Sequence, residues 1–124
     1  MSAIRILLVD DEDAFRALMR RMLATKGYDV TEAAAGDAAL ASYRQGPSDL
    51  VITDIRMPGK DGLEVIRELR RHDPLVKIIA MSGADPAIVE SYLKVAKVFG
   101  ACRIIRKPFS QDELLSAVAD VLAT

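Results

Sequence analysis

Residues 4–9 read IRILLV, and the two residues that follow them are Asp10 and Asp11. Short apolar runs of this kind recur along the chain and alternate with longer segments of helical period. This alternation predicts parallel β-strands joined by crossover helices, in a doubly wound α/β sheet. The predicted strands occupy residues 4–9, 28–33, 50–53, 77–81 and 102–105. Several are apolar on both faces, which is typical of parallel strands covered by helices on each side.

Five helices are predicted, one after each strand. The first carries a buried stripe at i, i+3, i+4, i+7 spacing and ends at Gly27; the stripe is Phe15, Leu18, Met19 and Met22. The second and third are predicted over residues 37–44 and 63–71. The fourth begins with Asp85 as cap and Pro86 in the first helical position, and extends to residue 99.

The fifth helix opens with a capping-box pattern at residues 110–113, which read SQDE. Its inward-facing residues are predicted to be Leu114, Leu115, Val118 and either Val121 or Leu122. No linker or repeat separates these elements, so we expect one domain over residues 1–124. A chain of this length with 51% apolar residues can form one sizeable core.

The net charge of −1 gives no electrostatic bias towards nucleic acid or anionic lipid. The single cysteine, Cys102, cannot form an internal disulfide, which favours a reducing compartment. The apolar run that ends at residue 9 is too short for a signal sequence or a membrane span. We therefore expect a soluble, cytoplasmic protein that binds neither DNA nor membranes directly.

Acidic residues stand at the ends of two predicted strands. Asp10 and Asp11 follow the first strand, and Asp54 closes the third. Strand ends of a doubly wound sheet form the usual ligand site, so these carboxylates are expected to meet. Carboxylates that crowd together repel one another unless a cation binds, and oxygen ligands favour a hard ion such as Mg²⁺.

The fourth and fifth strands add two further polar groups to the same edge. Ser82 contributes a hydroxyl, and Lys107, just before Pro108, contributes an ammonium group. A carboxylate nucleophile, a divalent metal, a cation and a hydroxyl are the parts that phosphoryl transfer needs, because its transition state spreads charge over the transferred oxygens.

Four motifs, each at a strand end, resemble the receiver domains of two-component signalling. They are VDDE at residues 9–12, DIRMPGKDG at 54–62, SG at 82–83 and KPF at 107–109. The resemblance covers the whole chain and implies a flavodoxin-like strand order of 2-1-3-4-5. It also implies that Asp54 is the phosphoacceptor, and that Mg²⁺ is held by Asp10, Asp11, Asp54 and the backbone carbonyl of Arg56.

The same resemblance implies roles for the remaining site residues. Lys107 pairs with the Asp54 carboxylate before transfer and with the phosphoryl oxygens afterwards, while Ser82 hydrogen-bonds the phosphoryl group. The peptide bond between Lys107 and Pro108 is expected to be cis. Such a domain promotes its own phosphorylation and dephosphorylation, and it is not a conventional turnover enzyme.

The implied phosphoryl donor is a sensor histidine kinase or a histidine phosphotransfer protein. Phosphorylation is expected to shift a population that remodels the fourth helix, fifth strand and fifth helix, and so to change binding of a downstream protein. With no output domain evident, we expect a stand-alone receiver. The pattern departs from the family at Ile104, where an aromatic residue is usual, and Tyr92 or Phe99 is a candidate replacement.

Other interpretations of these residues remain open at this point. Acids at strand ends are often plain helix caps, Lys107 alone resembles a surface lysine, and His72 is expected to be solvated rather than a phosphohistidine. A dehalogenase-type phosphatase would use an Asp-x-Asp pair, for which Asp11 and Asp13 have the spacing. A flavodoxin-like binding module would share the strand order but would carry hydroxyl groups after the first strand.

Overall fold

The strands form one parallel sheet in the order β2-β1-β3-β4-β5. The computed structural model describes residues 3–55, 62–83, 94, 98 and 101–124. Its strands are β1 (Arg5–Val9), β2 (Asp29–Ala33), β3 (Leu50–Asp54), β4 (Ile78–Ser82) and β5 (Arg103–Arg106). The predicted doubly wound sheet and its strand order are confirmed, and each predicted strand boundary is correct to within one residue.

Four helices lie within the described residues: α1 (Asp13–Ala24), α2 (Gly36–Gln45), α3 (Gly62–His72) and α4 (Gln111–Leu122). The helix predicted from Asp85 to residue 99 falls outside the described residues, apart from the helical positions 94 and 98. The last helix therefore carries the label α4. None of the helices in the described ranges is long and apolar enough to cross a membrane.

Both faces of the sheet are covered, which explains the largely apolar character of the central strands. On one face, Leu7 and Val9 of β1 join a cluster with buried residues of α2 and α3. On the other face, Ile6 and Leu8 join a cluster with buried residues of α1 and α4. Successive side chains of a strand point to opposite faces, so the central strands β1, β3 and β4 are buried almost throughout, whereas the edge strands β2 and β5 carry exposed charged residues.

The helix termini follow the local sequence. Gly27, shortly after α1, has a φ of +78°, a backbone conformation that a residue with a Cβ rarely adopts. At the start of α4, the Ser110 hydroxyl accepts a hydrogen bond from the backbone N–H of Glu113 at 3.1 Å. Both the predicted stop and the predicted cap are therefore confirmed.

The buried stripe of α1 differs from the prediction at one position. Met19 is fully buried and Phe15 and Met22 are half-buried, but Leu18 is 45% exposed. The position that α1 buries instead is Leu23, four residues after Met19. The prediction for Leu18 is wrong because α1 packs on the sheet and α4 through the Met19 and Leu23 side of the helix.

In α4, the predicted burial of Leu114, Val118 and Val121 is confirmed, whereas Leu115 and Leu122 are half-buried.

The register of the sheet brings the carboxyl ends of the central strands to one edge. Val9 pairs with Thr53, so Asp10 and Asp54 each follow one of two paired residues. Asp54 pairs with Met81 of β4, which precedes Ser82. Ser82 in turn pairs with Arg106 of β5, directly before Lys107. The fold therefore aligns every predicted strand-end residue in the described ranges along the same edge.

Candidate functional site

Three carboxylates meet at the carboxyl edge of the sheet. One oxygen from each of Asp10, Asp11 and Asp54 lies within 4.8 Å of the other two. Asp10 is fully buried and Asp54 is 9% exposed, whereas Asp11 is exposed. The structure thus brings together the three acidic side chains that the sequence predicted as metal ligands.

Lys107 joins two of these carboxylates. Its Nζ donates hydrogen bonds to Oδ2 of Asp10 at 2.9 Å and to Oδ2 of Asp54 at 3.1 Å. The backbone N–H of Lys107 donates to the Ser82 carbonyl at 2.7 Å, which continues the pairing of β4 with β5. The peptide bond between Lys107 and Pro108 is cis, as the resemblance implied.

The charge of this site is unbalanced. Burial alone would lower the pKa of Lys107, but the hydrogen bond to Asp10 and the negative charges of Asp54 and Asp10 outweigh it and raise the pKa. The lysine is therefore an ammonium ion at neutral pH. Three carboxylates facing one ammonium group leave an excess of negative charge, and an all-oxygen donor set of this kind suits a hard divalent cation such as Mg²⁺.

Asp10 is held from two sides. Its Oδ1 accepts a hydrogen bond from the backbone N–H of Glu12 at 2.9 Å. Its backbone carbonyl accepts one from Nη1 of Arg16 at 2.7 Å. Arg16 also pairs with Glu32 of β2 at 3.0 Å and with Asp13 at 2.9 Å. The sequence predicts no role for Arg16, because nothing in its spacing shows that this side chain reaches back from α1 to the Asp10 carbonyl.

Asp13 lies apart from Asp10, Asp11 and Asp54, which together form the acidic group of the site. Its side chain is 86% exposed and its carboxylate is bound by Arg16. The Asp-x-Asp pair that a dehalogenase-type phosphatase would need, Asp11 with Asp13, is therefore not formed. Asp11 is grouped instead with Asp10 and Asp54.

The backbone of Asp54 is enclosed by two neighbours. The Thr53 hydroxyl donates to the Asp54 carbonyl at 3.0 Å. Gly62, the first residue of α3, donates its N–H to the Ile55 carbonyl at 2.8 Å. A Cβ at position 62 would lie 1.9 Å from the Asp54 carbonyl oxygen, so only glycine fits there. In the sequence, Gly62 stands out only as the last residue of a motif.

Of the other predicted site residues, Ser82 and Ile104 are described by the structure and Arg56 is not. Ser82 is the last residue of β4 and is 3% exposed at the same edge. Arg56 and the loop around it lie outside the described residues, so its carbonyl stays a prediction. Ile104 is half-buried against the cluster that packs under α2 and α3, while Tyr92 and Phe99 also lie outside the described residues.

An aromatic side chain completes the surroundings of Lys107. The Phe15 ring lies with its centroid 4.3 Å from the Lys107 Nζ. The same ring meets Phe109 edge to face, with centroids 5.8 Å apart and an interplanar angle of 74°. The sequence predicts Phe15 only as part of a core stripe and does not place it at the site.

The family model described as the response regulator receiver domain matches residues 6–119. The chain belongs to this family. The chain is therefore a receiver domain of two-component, phosphorelay signal transduction. Receiver domains are signalling modules and not conventional enzymes. The match includes all five strands, apart from Arg5 at the start of β1, and every described residue of the site.

Known proteins similar to this receiver domain differ widely in length. The sensor kinase CckA of Brucella abortus is 41% identical over 120 residues, which are 94% of this chain and 12% of CckA. The chemotaxis protein CheY of Halobacterium salinarum is 35% identical over 120 residues, 97% of this chain and 98% of CheY. This chain spans from 12% to 49% of the length of six of the curated relatives.

Among solved structures, a CheY-like response regulator receiver domain protein from Methanospirillum hungatei has a TM-score of 0.91 with 28% identity. The similarity covers 98% of this chain and 95% of that one. The fold of this receiver domain is thus shared with its relatives along almost its whole length.

Proposed function

We propose that this receiver domain accepts a phosphoryl group on Asp54 and passes on a signal through altered protein binding. The observation that carries the proposal is the position of the Asp54 carboxylate. It ends β3 within 3.1 Å of the Lys107 ammonium group and within 4.8 Å of carboxylate oxygens of Asp10 and Asp11. A nucleophile, a cation and an anionic metal site therefore meet at one point.

Asp10, Asp11 and Asp54 would hold Mg²⁺, and the backbone carbonyl of Arg56 is proposed as a further ligand. When bound, the ion supplies positive charge that offsets the repulsion between the acceptor carboxylate and an incoming phosphoryl group. Each carboxylate oxygen has two lone pairs, so the bonds that Asp10 already accepts from Glu12 and Lys107 leave it able to coordinate an ion.

The chain's own residues divide the remaining chemistry. An Asp54 oxygen forms a bond to phosphorus while the bond from phosphorus to its donor atom breaks. Lys107, already at hydrogen-bond distance from Asp54, would move its N–H groups onto the phosphoryl oxygens, where charge develops. The Ser82 hydroxyl, on the neighbouring strand, would donate a hydrogen bond to the same phosphoryl group.

The phosphoryl donor is proposed to be a sensor histidine kinase or a histidine phosphotransfer protein, and the output a downstream protein rather than DNA. We further propose that residues 1–124 act as one domain in the cytoplasm. The coverage of almost the whole length of CheY from Halobacterium salinarum supports the assignment of one domain to these residues. The single exposed cysteine, Cys102, agrees with a reducing compartment.

The direct test is incubation with acetyl phosphate and Mg²⁺, read by intact mass. The wild type should gain the mass of one phosphoryl group, and Asp54→Ala should gain none. Asp29→Ala is the matched control, because Asp29 is an exposed aspartate at the start of β2, at the other end of the strands. It should be labelled like the wild type. Retained labelling of Asp54→Ala would overturn the assignment.

A further inference from the structure

We propose that Phe15 is a positioning residue that fixes the Lys107 ammonium group between Asp10 and Asp54. This inference rests on the proposed transfer of a phosphoryl group to Asp54. It concerns a side chain that stands outside the acidic group and has no polar atom. Its basis is the short distance, 4.3 Å, between the Lys107 Nζ and the centroid of the Phe15 ring.

Four neighbours restrict the Lys107 side chain: Asp10, Asp54, Phe15 and Gly83. Its Nζ is hydrogen-bonded by Asp10 and Asp54, and the face of the Phe15 ring lies against it. Along the stem, Gly83 lies so close that a Cβ there would stand 3.1 Å from the Lys107 Cδ. A lysine stem is flexible, and contacts along its length and at its head are what restrict it to one conformation.

The Phe15 ring is itself held in place independently of Lys107. It belongs to the partly buried residues that pack against the core cluster beneath α1 and α4. Phe109, which packs against the same cluster, meets it edge to face at 5.8 Å. Edge-to-face pairs of this kind stabilise a fixed ring orientation. The ring is therefore a rigid surface, against which the ammonium group rests.

A ring face suits this position for a chemical reason. Its quadrupole attracts a cation but offers no oxygen that would compete for the N–H donors. An ammonium group has three donors, and Asp10 and Asp54 take two of them in this structure. Phe15 thus keeps Lys107 at the site while leaving its hydrogen bonds free to pass to phosphoryl oxygens.

The test compares the rate constant for phosphorylation by acetyl phosphate and Mg²⁺ in three variants. Phe15→Leu keeps the apolar volume but removes the ring, and its rate constant should fall roughly three- to tenfold, the range expected for a partly desolvated cation–π contact. Phe15→Tyr keeps the ring and should restore the rate constant. Met22→Leu, another half-buried change in α1, should leave it unaltered.

Two further measurements separate positioning from general destabilisation. In a Lys107→Ala background, Phe15→Leu should cause no additional loss of rate, because the group it positions is gone. By NMR, the ε-methylene protons of Lys107 should show an upfield ring-current shift that is lost in Phe15→Leu and kept in Phe15→Tyr.

The outcomes distinguish this inference from the proposed function. Wild-type labelling with equal rate constants for wild type and Phe15→Leu would overturn the inference alone. An equal fold-loss in the Lys107→Ala background, or an unshifted Lys107 resonance in the wild type, would do the same. A wild type that takes up no phosphoryl group while the ring-current shift is present would overturn the proposed function and the catalytic purpose of the contact.

Discussion

Asp10 and Asp11 are adjacent in sequence but differ in what surrounds them. Asp10 is fully buried, and its carboxylate is fixed by Glu12 and Lys107. Asp11 is exposed on the rim of the acidic group. A fixed acid and a solvated one give a cation site that is partly preformed and still open to water. The sequence placed both acids at the site, but burial of one and exposure of the other depend on how α1 closes over β1.

Gly62→Ala tests the close approach of α3 to Asp54. The added Cβ would stand 1.9 Å from the Asp54 carbonyl oxygen, so backbone must shift. We expect a loss of about 1–3 kcal/mol in the free energy of unfolding, measured with urea. Gly46→Ala is the control, since its Cβ would meet only the flexible end of Arg5, at 3.1 Å. Equal stability of wild type and Gly62→Ala would show that the approach is looser than described.

The pair of Tyr43 and Asp73 predicts a pH dependence. The Tyr43 hydroxyl donates to Asp73 at 2.7 Å. This bond, with the N–H of Leu75, lowers the pKa of Asp73 below its ordinary 3.8. A carboxyl group whose pKa is lowered in the folded protein stabilises the fold at pH values above its ordinary pKa. This contribution is lost as the pH falls through the pKa of the folded state.

Tyr43→Phe should therefore cost about 1 kcal/mol of unfolding free energy at pH 7, the usual value of one hydrogen bond. The difference in unfolding free energy between the wild type and Tyr43→Phe should become smaller as the pH falls below 3.8. An NMR titration of the Asp73 carboxyl should show a higher pKa in the variant than in the wild type. The same pKa in both proteins would contradict this account.

At the scale of elements, most of the fold could be predicted from the sequence, because strands that are buried on both faces appear as short, continuous apolar runs. Each apolar run matched a strand to within one residue. The rotation of a helix about its axis is less well specified. The α1 sequence contains more apolar residues than one stripe can bury, so the prediction included Leu18 and omitted Leu23.

That uncertainty in rotation also explains what was missed at the site. The five described site residues stand at strand ends, where order along the chain predicts position. Phe15 and Arg16 reach the site from α1, and the direction of their side chains follows from packing that no spacing rule contains. Strand-end chemistry was therefore predictable, whereas the helical residues that position it were not.

Ser110→Ala tests the start of α4. The Ser110 hydroxyl accepts a hydrogen bond from the N–H of Glu113 at 3.1 Å, and its loss should cost about 1 kcal/mol of unfolding free energy. Ser116→Ala is the matched control, because Ser116 is exposed in the middle of the same helix. Alanine favours a helix interior, so the control should be equally stable or slightly more stable. Urea unfolding measures both, and equal losses would argue against a capping role.

At the scale of the whole molecule, one sheet separates two core clusters and carries three acidic residues at one edge, of which Asp11 is exposed. The three clustered carboxylates come from two strands that are distant in sequence, so the unfolded chain does not hold them together. A cation that binds them stabilises the folded state alone. Stability should therefore depend on divalent cations in a way that a single surface acid would not produce.

We expect Mg²⁺ at ten times its dissociation constant to raise the free energy of unfolding by about 1.4 kcal/mol. Urea unfolding at constant ionic strength, with and without Mg²⁺, measures the change. Asp11→Asn should reduce it. Asp13→Asn should leave it intact, because Asp13 is exposed and bound to Arg16 outside the acidic group. An undiminished Mg²⁺ effect in Asp11→Asn would remove that residue from the site.

Lys107 is 97 residues from Asp10 and 53 residues from Asp54 along the chain. When a ribosome has synthesised both acidic residues, Lys107 has not yet been synthesised. β5 must then pair with β4 before Lys107 can reach the two carboxylates. A nascent chain therefore holds Asp54, the proposed acceptor, before the complete site can form. Under the proposed function, competence to receive a signal would therefore require that β5 has been synthesised and paired with β4.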